Sequence, residues 1–74
     1  MPNSELVTQT YQKIENQIRE EAREKFLVWL ERVIEYALVD EPKFTPNTAQ
    51  LKEAWEFGSS AICAAEDGVY QFRQ

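Results

Sequence analysis

Residues 25–39 read KFLVWLERVIEYALV, and what covers this stretch decides the fold. Eleven of the fourteen positions from Phe26 to Val39 are apolar, in a chain that is otherwise polar and acidic. Read as a helix at 100° per residue, Glu31, Arg32 and Glu35 share a sector of roughly 100°, and the other 260° or so is apolar. One neighbouring helix cannot cover so wide a face. The stretch is also too short and too charged to span a bilayer, which takes about 20 apolar residues.

Toward the N-terminus, Pro2, Asn3 and Ser4 form a helix start signal, and no glycine or proline interrupts from there to Val39. Val7, Tyr11, Ile14 and Ile18 fall on one stripe among Gln, Lys, Glu and Arg. A strict seven-residue period would next select Glu21, Lys25 and Val28. The apolar residues fall instead at Ala22, Phe26, Trp29, Val33 and Tyr36 or Ala37. Ile18 to Trp29 is thus an eleven-residue step, a stutter that locally relaxes a left-handed supercoil. The spacing predicts one long helix over about residues 4–39.

Toward the C-terminus, DEPKFTPN (40–47) carries two prolines and reverses the chain. A second helix is predicted over about 47–67. It is capped by Asn47 with Gln50 three residues on, or by Thr45 before Pro46. Leu51, Trp55, Gly58, Ile62, Ala65, Val69 and Phe72 step by four and three as a heptad seam. Ala54, Gly58, Ala61 and Ala65 are small enough for close helix approach. Gly58 in a helix interior costs about 1 kcal/mol relative to Ala, which reads as room made for Phe26 or Trp29. Asp67-Gly68 either caps this helix, leaving 68–74 as a tail, or the helix runs on to Phe72.

At 1.5 Å per residue, residues 5–39 would span about 52 Å and 47–67 about 30 Å. Folded back, the second helix reaches only residues 18–39 and leaves the stripe from Val7 to Ile18 uncovered. The fold class expected is therefore all-α, an antiparallel two-helix hairpin with a long first helix in a single domain, 1–74. Two copies pairing as a homodimer would make a four-helix bundle with coiled-coil packing and cover both the wide face and the stripe.

Composition narrows the function. A chain of 74 residues is one small domain, of marginal stability unless a disulfide, a metal or association helps it. Cys63 is the sole cysteine and there is no histidine, which removes an internal disulfide and the commonest transition-metal ligand. Eight basic against thirteen acidic residues give a net charge of −5, spread along the chain. Such a surface favours solubility and disfavours direct contact with phosphate backbones or anionic lipid, so neither nucleic-acid nor membrane binding is expected. The opening MPNSELVTQT lacks the basic and apolar regions of a signal peptide, which points to a cytoplasmic protein.

The catalytic candidates are weak. Glu21-x-x-Glu24 and Glu53-x-x-Glu56 resemble the acidic pairs of carboxylate metal bundles, but eleven glutamates produce such pairs easily, and di-iron sites also need Glu-x-x-His. Cys63 lies in GSSAICAA (58–65) with no local base to activate it, and is read as a small buried apolar residue. Gly58-Ser59-Ser60 has neither the second glycine nor the preceding strand of a nucleophile elbow.

The reading is a non-enzymatic module without cofactor or metal, an adaptor, regulator or assembly factor. It would act by protein–protein contact with itself or another protein. Candidate interaction residues are Tyr11, Ile14, Ile18, Phe26, Trp29, Val33, Tyr36, Trp55, Tyr70 and Phe72, since aromatic anchors dominate interface energetics. The VYQFRQ tail is a candidate contact outside the bundle, docking on a partner or, as a short strand, extending a sheet edge. Two alternatives stand beside it: an acidic, antitoxin-like inhibitor occupying a basic site on its partner, and a carboxylate-bundle metal enzyme.

Overall fold

Each of the two expected helices is broken once. The computed structural model describes residues 2–74, with side chains from Ser4 onward, so the start signal at Pro2 and Asn3 lies outside the described side chains. The described residues form α1 (Pro2–Ile14), α2 (Arg23–Asp40), α3 (Thr48–Phe57) and α4 (Ala61–Arg73), with no strand among them. The all-α class holds. The two-helix hairpin becomes four helices within one chain.

The first break replaces the stutter. Two single 3-10 turns, Glu15–Gln17 and Glu20–Ala22, flank Ile18 and Arg19, whose backbones are extended (φ/ψ −104°/136° and −58°/137°). The slipped period at this point is a full reversal of α1 onto α2. Ile18 is buried in the bend. Arg23 reaches back, its Nε donating to the carbonyl oxygens of Glu15 (2.9 Å) and Ile18 (3.1 Å). Glu15 O also accepts from Ile18 N at 3.1 Å, closing the first turn.

The reversal removes the reason given for a second chain. α1 packs against α2 and α3, so Val7, Thr10 and Ile14 are buried within the monomer and the stripe has its cover. Thr10, absent from the sequence stripe, lies between Val7 and Ile14 at helical spacing. The wide face of α2 is met from two sides, by α1 and by α4. Phe26, Leu30, Val33, Ile34 and Ala37 are fully buried along it. With Leu27, Trp29 and Leu38 half-covered, the protected arc is roughly 180°. Val28, Tyr36 and Val39 stay on the exposed side with the charged residues.

The second break falls at Gly58, where φ is +90° and a Cβ would meet nothing within 4 Å. The expectation of an interior glycine making room for a bulky ring is therefore corrected. Gly58 is permitted by its conformation, since left-handed backbone is costly for residues with a Cβ. It ends α3 with a Schellman motif, Gly58 N donating to Trp55 O (3.1 Å) and Ser59 N to Ala54 O (3.0 Å). Ser60 then starts α4, its hydroxyl accepting from Cys63 N. At the head of α3 the Asn47 cap is the one used, accepting from Gln50 N at 3.1 Å.

Ala64, Ala65, Gly68 and Val69 turn inward, Ile62 and Phe72 turn out, and Cys63 is exposed. Of the expected seam, Leu51, Ala65 and Val69 are buried while Ile62 and Phe72 are exposed, and Cys63, expected to be buried, is on the surface. α4 runs through residues 68–74 as far as Arg73, so Asp67-Gly68 is no cap and there is no separate tail. Close approach does occur, at Gly68, where an added Cβ would stand 3.3 Å from the ring of Phe44. Phe44, from the turn, is buried there and meets Phe72 edge-on at 5.9 Å.

Radius of gyration is 11.1 Å, close to the value of about 11 Å expected for a folded chain of this length. The accessible surface of 5261 Å² exceeds the roughly 4,700 Å² expected at this mass. A thin third axis of 17 Å against 31 and 27 Å accounts for part of the excess.

Candidate functional site

An aromatic cluster forms at the centre, where α1, α2 and α3 converge. Phe26 is fully buried and has Tyr11 at 6.2 Å, Trp29 at 5.7 Å and Trp55 at 5.3 Å between ring centroids. Trp29 and Trp55 meet edge-to-face at 5.3 Å. Such pairs add about 0.5–1.5 kcal/mol each beyond area burial. Trp29 Nε1 also donates to Ser59 O at 3.0 Å, tying the elbow between α3 and α4 to the middle of α2.

The ten candidate interaction residues separate accordingly. Ile14, Ile18, Phe26 and Val33 are interior. Tyr11, Trp29 and Trp55 are half-buried in the cluster. Tyr36, Tyr70 and Phe72 are on the surface.

Tyr36 borders a groove of about 420 Å³ between α2 and α4, lined by Tyr36, Asp40, Ile62, Ala65, Glu66 and Val69. Ala65 and Val69 form its apolar floor because small residues bring α4 close to α2. Tyr36 is 45% and Ile62 51% exposed, standing as walls on opposite helices. Asp40 and Glu66 put two carboxylates on the rim and no basic residue lines the groove. Arg73 sits beside Asp40, outside the lining. It pairs with Asp40 (3.8 Å) and Glu41 (3.5 Å) and donates to Asp40 O, capping the carboxyl end of α2. Ile62, on the expected seam beside Trp55 and Phe72, is a wall of the groove that the sequence did not single out.

A smaller notch of about 120 Å³ lies between the turn and α4, lined by Thr45, Asn47, Gln50, Gly68, Gln71 and Phe72. Asn47 is already engaged as the α3 cap.

For the acidic pairs, Glu21 sits beside Arg19 at 3.1 Å and Glu56 beside Lys52 at 3.4 Å, with Arg19, Glu21 and Glu56 exposed and Lys52 half-buried. Among the described residues no group of three or more His, Cys, Asp or Glu converges as metal ligands would, and no helix is long and apolar enough to cross a membrane. Comparisons with protein-family models, with curated proteins and with solved structures find no match to this chain.

Proposed function

We propose that the protein is a non-catalytic interaction module that binds an amphipathic, basic segment of a partner protein in the groove between α2 and α4. The observation that carries the reading is the groove itself, an apolar floor of Ala65 and Val69 between half-exposed Tyr36 and Ile62, edged by Asp40 and Glu66. Its mixed chemistry suits a helix laid in a groove, with apolar anchors at three- and four-residue spacing and Lys or Arg beside them. Charge argues for such an occupant over a second copy pressed onto the same face. Two chains of net charge −5 would bring like charges together, whereas a basic partner is drawn to the rim.

The test is titration of the labelled protein with a synthetic Leu/Lys amphipathic helix, and with a Leu/Glu helix of the same pattern, followed by backbone NMR. The basic peptide is expected to shift Tyr36, Ile62, Ala65, Glu66 and Val69, to bind more weakly as salt rises, and to lose at least tenfold in affinity with Ile62→Asp. The Leu/Glu helix should leave these signals in place. Equal responses to both peptides, or shifts confined to other faces, would reject the reading.

A further inference from the structure

We infer that α1 is an exchangeable arm, through which two copies of this chain form a domain-swapped dimer by straightening the bend at Ile18 and Arg19. This does not rest on the α2–α4 groove, which lies on other residues.

The bend is not written into its own residues. Glu15–Ala22 reads ENQIREEA, without glycine or proline and rich in good helix formers. Extended backbone is confined to Ile18 and Arg19 between two helical turns. Returning these two residues to helical angles, with smaller adjustments at Ile14 and Ala22, would fuse α1 and α2 into one helix, Pro2 to Asp40, about 58 Å long. The carbonyls of Glu15 and Ile18, now held by Arg23, would then accept from the amides of Arg19 and Ala22 in the ordinary ladder.

Two packing features keep the bend: the burial of Ile18, and the docking of Val7, Thr10, Tyr11 and Ile14 on α2 and α3. The second survives exchange, because in a swapped pair each α1 meets the same residues on the other copy. Open and closed forms therefore differ mainly in hinge hydrogen bonds, in Ile18 and in concentration, which is the condition under which identical elements exchange.

Position 19 offers a specific lock. Arg19 already has φ −58°, which proline requires, and Ile18 before it has the extended conformation that a following proline enforces. The backbone bonds of the bend are donated by Ile18 and Ala22, not by Arg19. Arg19→Pro fits the closed chain and breaks the straight helix.

The experiment refolds the full chain from denaturant at low and at high protein concentration and measures mass by size exclusion with light scattering. Wild type is expected to give a dimer fraction that rises with refolding concentration and persists on dilution. Arg19→Pro should lower that fraction at least tenfold at equal helicity. Ile18→Ala, which removes the buried anchor of the bend yet suits a helix, should raise it several-fold. A wild type that stays monomeric throughout overturns the inference, as does an Arg19→Pro chain that dimerises like wild type. Should Arg19→Pro fail to fold, the Ile18→Ala result decides: no rise in dimer overturns the proposal.

Discussion

The chain reverses at two places where a continuous helix was expected, and they are built in opposite ways. At 57–60 the break is local: Gly58 takes a left-handed conformation, the Schellman bonds close α3, and the Ser60 hydroxyl opens α4. One bond from outside reaches it, Trp29 Nε1 donating to Ser59 O. At 15–22 the break contains no residue that disfavours helix, and it is held from outside by the burial of Ile18, by Arg23 and by the seating of α1. One is a property of four residues; the other is a property of the whole core. A local break should resist changes elsewhere in the molecule, and a packing-imposed one should not.

Substitutions sharpen that contrast. Phe26→Ala should have the largest effect, about 3–5 kcal/mol in chemical denaturation. It removes the ring against which Tyr11, Trp29 and Trp55 rest, so it weakens the seat of α1 directly. Hydrogen exchange in such a variant should show α1 losing protection before the α3–α4 elbow; simultaneous loss would break the contrast. Ile18→Ala comes next, at about 2–3 kcal/mol, and should loosen α1 alone. Gly58→Ala should cost about 1–2 kcal/mol, all of it conformational because the space around Gly58 is open. A loss above 3 kcal/mol there would show the elbow to be more than local. Smallest is Arg19→Pro on the closed monomer. Its effect should lie between zero and about 1 kcal/mol of stabilisation, since the exposed Arg19–Glu21 pair that it removes contributes little. A clear destabilisation would mean the bend is not at rest in its present geometry.

The same contrast explains what could be read in advance. Helical periodicity, the proline turn and the Asn47 cap are local signals, and all three stand. The stutter after Ile18 was visible as a slip in period, but its size was not, because nothing in ENQIREEA distinguishes a relaxed supercoil from a reversal. Only the competition for the apolar face of α2 decides it. Gly58 failed differently: a glycine at a seam position fits both close approach and a left-handed cap, and the serines after it were the signal for the cap. On α2 the stripe continues through buried Ala37, and Tyr36, its alternative, stands exposed across the groove from Ile62. Phe26 and Val33, expected as interaction residues, lie instead in the interior.

The contact between Trp29 and Trp55 has an optical consequence. Two indoles in edge contact at 5.3 Å couple their electronic transitions and contribute a signal of their own to the far-ultraviolet spectrum, superimposed on that of the helices. A change at either indole would therefore alter the apparent helicity with no helix gained or lost. Substitutions at positions 18, 19 and 58 leave both chromophores in the chain. For these, a change in the indole signal reports whether the centre of the molecule has moved, separately from how much backbone remains helical.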